Sequence, residues 1–272
     1  MITSDAGVDF SARRVSAMVR RYWYLLRSSW PRVLDLIYWP TVQMLMWGFL
    51  QLYVSHNGGL FVRAGGVFIG AVLLWDILFR GQLGFSISFL EEMWSHNLGN
   101  LMMSPLRPVE FVAALMIMSI VRLLIGMIPV TLLALAFFGF NLWSLGFALA
   151  AFFVNLILTS WAIGIFVSGL LLRNGMGAES MAWTIMFLFL PLTCVYYPVT
   201  VLPWYLQYVA WALPPTYVFE GMRALLIDNV FRADLMLEAF AFNAVLFAAA
   251  SFAFFALLQS ARVQGALLQG GE

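Results

Sequence analysis

The chain has 272 residues, 63% of them hydrophobic and only 10% charged, with a mean hydropathy of +0.92 and a formal net charge of +1. Soluble globular chains carry about a quarter charged residues, so a water-soluble domain this apolar could not cover its own surface and lipid must replace water. The absence of lysine excludes a Gly-Lys-Ser/Thr phosphate loop and a lysine Schiff base, and the single cysteine, Cys194, excludes an internal disulfide and a cysteine metal cluster.

Residues 1–32 are polar to amphipathic, which is not the pattern of a secretory signal. Within them, Val15, Met18, Tyr22 and Leu25/Leu26 share a face at helical spacing, while Arg13, Arg20, Arg21 and Arg27 lie mostly off it. This predicts an amphipathic helix in the cytoplasmic interface, its arginines near anionic headgroups. It serves as a topogenic anchor alone, or also transmits movement from a cytoplasmic partner. Pro31 separates it from the first span.

Six apolar segments follow, at residues 33–54, 66–89, 109–140, 142–172, 181–201 and 235–258. Each is long enough to cross a bilayer at about 20 residues per helix. The first is ended by Ser55-His56-Asn57-Gly58-Gly59, and Gly139-Phe140-Asn141 makes a tight extracellular hairpin between the third and fourth. The third exceeds the bilayer and must tilt or project. No internal repeat is visible, and no loop can hold a folded soluble domain. The predicted fold is an all-α membrane protein: residues 1–32 form a cytoplasmic N-terminus and residues 33–272 one six-helix domain.

Between the second and third spans, residues 91–108 carry Glu91, Glu92, Trp94, His96, Asn97, Leu98, Leu101 and Met102. Trp94, Leu98, Leu101 and Met102 fall at helical spacing, predicting a short cytoplasmic helix. It is a docking surface for a partner, or an ordinary loop helix tucked against the bundle.

Residues 191–232 concentrate prolines and aromatics: Pro191, Tyr196, Tyr197, Pro198, Pro203, Trp204, Tyr205, Trp211, Pro214, Pro215 and Tyr217, then Glu220 and Arg223. Prolines break helices, and irregular backbone at membrane depth survives only when buried in protein or lining a cavity. The expectation for 203–232 is short broken helices that dip into the outer leaflet and return, more than a plain aromatic belt.

Asp76, Arg80 and Arg122 lie inside spans, where charge is costly unless paired. Asp76 and Arg80 stand at i,i+4 and can pair directly; Arg122 needs Asp76 or a water-filled path. A structural ion pair is favoured over a substrate-binding role. His56 and His96 are single and far apart, so no metal site is expected, and no nucleophile–base constellation is present. Cys194 reads as a small packing residue.

The arginines give the orientation. Arg13, Arg14, Arg20, Arg21, Arg27 and Arg32 precede the first span, and six spans place Arg107, Arg173 and Arg262 on the same side. Only Arg63, Arg223 and Arg232 fall opposite. Both termini are therefore expected in the cytoplasm.

With these residues in view, the chain resembles the permease subunits of type-2 ATP-binding-cassette exporters over nearly its whole length. The resemblance rests on the amphipathic N-terminal helix, the six spans, the 91–107 segment closing on Ser104-Pro105-Leu106, and the order Tyr197-Pro198, Leu202-Pro203, Pro214-Pro215-Thr216-Tyr217, Glu220, Arg223. It implies that residues 10–27, with Arg13, Arg14, Arg20 and Arg21, and residues 91–101 contact an ATPase. It implies that residues 203–229 cap the translocation path and that spans one, two and five surround it, with Tyr196, Tyr197, Pro198, Pro203, Trp204, Trp211, Tyr217, Glu220 and Arg223 at its outer gate.

The further implications are a half-permease that forms a homodimer, or pairs with a close relative, in the inner membrane, surrounded by lipid, with two copies of a cytoplasmic ATPase subunit and no nucleic acid. This chain would bind no cofactor; ATP and Mg would sit on the separate subunit. The substrate would be amphipathic: a lipid-linked glycan, a lipid or a hydrophobic drug-like molecule. The chain departs from large-loop relatives in lacking a bulky extracellular domain. The competing class is a secondary transporter driven by an ion gradient, which calls for acidic residues on a central cavity and repeated halves; Asp76 alone meets the first demand and nothing meets the second. A membrane scaffold or intramembrane enzyme is the third class.

Overall fold

The structure is a computed structural model and describes residues 10–57 and 66–263. Gly58, Gly59 and Arg63 lie outside the described residues, as do the side chains of His56, Met102 and Arg262. Ten α-helices follow one another among the described residues: α1 (Ala12–Arg27), α2 (Trp30–Asn57), α3 (Val67–Trp94), α4 (Leu98–Met103), α5 (Pro108–Phe138), α6 (Phe147–Asn174), α7 (Met181–Leu192), α8 (Trp204–Trp211), α9 (Pro214–Asp228) and α10 (Ala233–Val263).

Five of these, α2, α3, α5, α6 and α10, are long and apolar enough to cross a membrane, and α7 is a shorter apolar helix. The all-α, multi-pass reading of the sequence holds. The fifth expected span does not continue to residue 201. Helix α7 stops at Leu192, and Cys194 follows at φ 55°, a left-handed conformation that a side chain rarely adopts. Twelve helical residues reach only about 18 Å, short of the roughly 30 Å hydrocarbon core.

Local chemistry explains the other boundaries. Pro31 lies in the first turn of α2 rather than between helices, where its missing N–H costs nothing. Helix α5 opens on Pro108 with Glu110 at N3, whose carboxylate accepts the Arg107 N–H at 3.1 Å, and closes on Gly139 at φ 66°. Helix α9 opens on Pro214-Pro215 and closes on Asn229 at φ 56°.

Small residues bring the long helices together. A β-carbon at Gly126 of α5 would lie 2.6 Å from the Leu36 carbonyl oxygen of α2, so glycine sets that separation. Ser160 of α6 donates to the Leu78 carbonyl of α3 at 2.8 Å. Helices α6 and α10 share a buried polar clamp: Thr159 donates to Asn243 Oδ1 at 2.6 Å, and Asn243 Nδ2 donates to the Asn155 carbonyl at 3.0 Å. The core sits among α3, α5, α6 and α9; α3 is buried along most of its length, whereas α2 keeps a wide apolar face exposed, including Leu34, Tyr38, Trp39 and Met46.

Candidate functional site

The residues singled out in the sequence gather in two places, one where α1 meets the ends of α3 and α5, the other where α9 closes over the turn after α7. At the first, α1 buries Val15, Met18, Tyr22 and Leu26, the expected stripe, but buries it against the protein's own helices. Trp23, Tyr24 and Leu25 remain outward. Burial holds the Tyr22 phenol above its ordinary pKa.

Ion pairs fix α1 in place. Arg14 grips the fully buried Glu110 of α5, donating Nε to Oε2 at 2.8 Å and Nη2 to Oε1 at 2.5 Å. The Ser11 N–H adds a third donor at 2.8 Å. Arg21 pairs with buried Glu92 near the end of α3, and Asn97 donates to the same carboxylate at 2.8 Å. Glu91 reaches Arg32 of α2 at 3.3 Å and Arg122 of α5 at 2.8 Å. Arg122, expected to need Asp76 or water, finds Glu91 instead. Four helices are thus joined through the last turn of α3 by charge-assisted hydrogen bonds.

This geometry divides the residues expected to meet an ATPase. Glu91, Glu92 and Leu98 are turned into the chain, and Asn97 and Leu101 are half-buried. Trp94, His96, Arg13 and Arg20 are exposed, joined by Met103 at the end of α4. Trp94 closes α3 and donates Nε1 to Glu179 at 3.3 Å, which ties this corner to the α6–α7 connection. The chain turns at His96 (φ 49°), so α4 is a separate two-turn helix, not an extension of α3.

At the second place, Arg223 of α9 is buried and works in two directions. Its Nη2 donates to Glu220 at 2.9 Å, and its Nη1 donates to the carbonyls of Cys194 and Val195 at 2.9 and 3.2 Å. Glu220 in turn accepts the Val199 N–H at 2.8 Å. The pair therefore supplies the backbone partners that the broken end of α7 lacks. Thr216 donates to the Ala210 carbonyl at 2.6 Å, locking α8 to α9. Tyr217 is buried between Trp211 and Phe242, and Tyr197 donates to the Pro191 carbonyl at 2.7 Å. Pro198, Pro203 and Trp204 are exposed. Helix α9 is packed into the bundle against α3, α6 and α10, and α8 is the outward element.

Tyr196 belongs to neither group alone. It stacks on Trp47 of α2 at 4.3 Å between ring centroids, and Trp47 stacks on Phe68 of α3 at 6.4 Å. Asp76 and Arg80 lie below on α3, 3.6 Å apart, with neither Asp76 oxygen hydrogen-bonded among the described residues. The i,i+4 pair expected from the sequence is present as a charge contact only.

Trp47 and Glu110 were not singled out in the sequence. Glu110 carried a signal, an acid two residues after a helix-opening proline. Trp47 carried none.

Residues 14–227 match the family described as ABC-2 type transporter. No curated protein matches the chain.

Proposed function

The chain belongs to the ABC-2 type transporter family and is a membrane permease of an ABC transporter; on that premise we propose that it exports an amphipathic molecule across the inner membrane, driven by a separate ATPase. Such permeases work with an ATPase subunit. The reading has two ATPase copies holding ATP and Mg, two copies of this chain, both termini in the cytoplasm, and α7 with the 193–203 segment completing a sixth crossing.

One observation carries the mechanism: the last turn of α3 holds α1 through Arg21, α2 through Arg32 and α5 through Arg122. A push on the exposed corner formed by Trp94, His96 and Met103 acts on a joint already fastened to two spanning helices and the interface helix. The Arg122–Glu91 pair is buried or nearly so on both sides and Glu92 is buried beneath Arg21, so separating either leaves an uncompensated charge, whereas the exposed Arg32–Glu91 contact adds little. ATP-driven closure of the partner would therefore carry α1 and α5 with the end of α3, and α2 would follow through its close packing on α5 at Gly126. At the opposite end, the Glu220–Arg223 pair holds the broken end of α7 against α9, where an outer gate would open.

The test is purification of the tagged chain from native membranes in mild detergent. Stoichiometric recovery of a nucleotide-binding subunit, with ATP-dependent movement of an amphipathic probe in sealed vesicles, supports the proposal. Solute movement by the chain alone along a proton or sodium gradient overturns it.

A further inference from the structure

Six arginines stand on α1 and in the first turn of α2, and their contacts divide them into two sets. Arg14, Arg21 and Arg32 are paired with Glu110, Glu92 and Glu91. Arg13, Arg20 and Arg27 are exposed, and their side chains make no hydrogen bond or ion pair among the described residues. Arg20 and Arg27 are seven residues apart, so they share a face of α1 about 10 Å apart along its axis.

Arg27 closes α1 and lines a cleft of about 520 Å³ where α1, α2 and α5 meet. Trp23 and Trp30 stand beside it; Val33, Leu34 and Ile37 carry the wall two turns along α2, and Ile125 of α5 completes it. Arg27 is the only charged residue lining this cleft among the described residues. Arg122, three residues before Ile125, is already held by Glu91. A place at the C-terminal end of a helix suits a cation but leaves the guanidinium fork unused.

The apolar stripe of α1 is covered by the protein's own helices, so that stripe is not what α1 offers to lipid. Lipid contact falls instead to the outward side, where Trp23, Trp30 and Leu34 are exposed. Helix α2 is long and apolar enough to span the membrane, and exposed tryptophans at its start mark headgroup depth. One unpaired guanidinium therefore sits at that depth, and an apolar wall runs about 10 Å from it along a spanning helix. The complementary ligand has a single anionic head and a hydrocarbon tail. A phosphate accepts two parallel hydrogen bonds from the guanidinium fork, and anionic phospholipid brings phosphate and tail together in the bilayer surface.

We propose that the α1–α2–α5 cleft binds one anionic phospholipid from the leaflet on the α1 side, its phosphate on Arg27 and an acyl chain along Val33, Leu34, Ile37 and Ile125. Arg20 adds its field without touching the lipid. The site goes beyond the transport reading: it needs neither an ATPase nor a transported molecule, only a chain embedded in a bilayer.

The experiment titrates the full-length chain in detergent micelles with phosphatidylglycerol, or with phosphatidylcholine of the same acyl chains, and counts bound lipids by native mass spectrometry. One phosphatidylglycerol per chain is expected, held about tenfold more tightly than phosphatidylcholine, with Arg27→Gln removing that preference. Arg20→Gln should weaken binding less, by roughly fivefold at most. Leu34→Trp, which fills the cleft without changing charge, should weaken both lipids. Arg27 and Leu34 are exposed, so these variants probe the site without threatening the fold. Arg173→Gln, at the end of α6 and away from the cleft, should leave binding unchanged. Equal retention of the two lipids, an unchanged affinity in Arg27→Gln or in Leu34→Trp, an equal loss in Arg173→Gln, or displacement by soluble glycerol phosphate overturns the proposal. Recovery of an ATPase subunit is scored separately, so failure of the transport reading and failure of the lipid site give different results.

Discussion

Arg14 and Glu110, separated by 96 residues, form a two-point ion pair that fastens α1 to the first turn of α5. Glu110 also accepts the N–H groups of Ser11 and Arg107, so one buried carboxylate closes two helix starts at once.

Glu110→Gln removes the charge and leaves Arg14 without its counter-ion. A neutral amide there also leaves the Ser11 and Arg107 N–H groups with a weaker acceptor. The expected result is a lower unfolding midpoint in detergent, read by size-exclusion fluorescence after heating. The exchange Arg14→Glu with Glu110→Arg should recover only part of it, because the two backbone donors would then face a cation. An unchanged midpoint in Glu110→Gln would show that α1 is held by its apolar face alone.

Gly126→Ala places a methyl group against the Leu36 carbonyl, which is backbone and cannot rotate away. Overpacking of this kind costs about 1–3 kcal/mol. The variant should lose stability and, by parting α2 from α5, also loosen the Arg122–Glu91 contact. Gly139, with nothing within 4 Å, tests backbone conformation instead. Comparing the unfolding midpoints of Gly126→Ala and Gly126→Ser checks the steric origin, since the two should fall together.

Cys194 is the only cysteine and is fully buried where Arg223 holds its carbonyl. Hydrogen bonds to a charged group contribute about 1.5–3 kcal/mol. Arg223→Ala should therefore speed maleimide labelling of Cys194 about tenfold or more. Glu220→Gln should act in the same direction but less, because the guanidinium contacts to Cys194 and Val195 remain. Labelling as slow as in the unaltered chain would detach the pair from any gating role.

Trp94 and Met103 are exposed at the α1 end of the bundle. Trp94→Ala with Met103→Ala should change stability by no more than about 0.5 kcal/mol each, yet uncouple ATP hydrolysis by the partner subunit from transport. Leu98 is unsuitable for that purpose: it is buried, and its truncation would cost about 2–5 kcal/mol. Undiminished transport per ATP in the double variant would remove this corner from the coupling path.

The clearest departure from the sequence reading is α7. Residues 181–201 carry no charge, and hydropathy alone cannot register that Cys194 adopts φ 55° and that Arg223, 29 residues on, supplies the donors to the turn. The acidic pair Glu91 and Glu92 is similar. Two adjacent acids in a polar interval suggested an outward surface, whereas the structure turns both inward onto Arg21, Arg32 and Arg122. Their partners come from three different helices, and no spacing rule links them.

Composition and the length of the apolar runs determined the solvent: with so few charges and so many consecutive hydrophobic residues, only a helical membrane protein satisfies its backbone, and the α1 stripe and the breaks at proline and glycine followed from local geometry. The tertiary structure decided which charge meets which. Helical periodicity fixes neighbours three or four residues apart, so Asp76 with Arg80 could be read directly, but Arg14 with Glu110, Arg122 with Glu91 and Tyr196 with Trp47 depend on how whole helices are docked, and that is settled by packing between faces far apart in the chain.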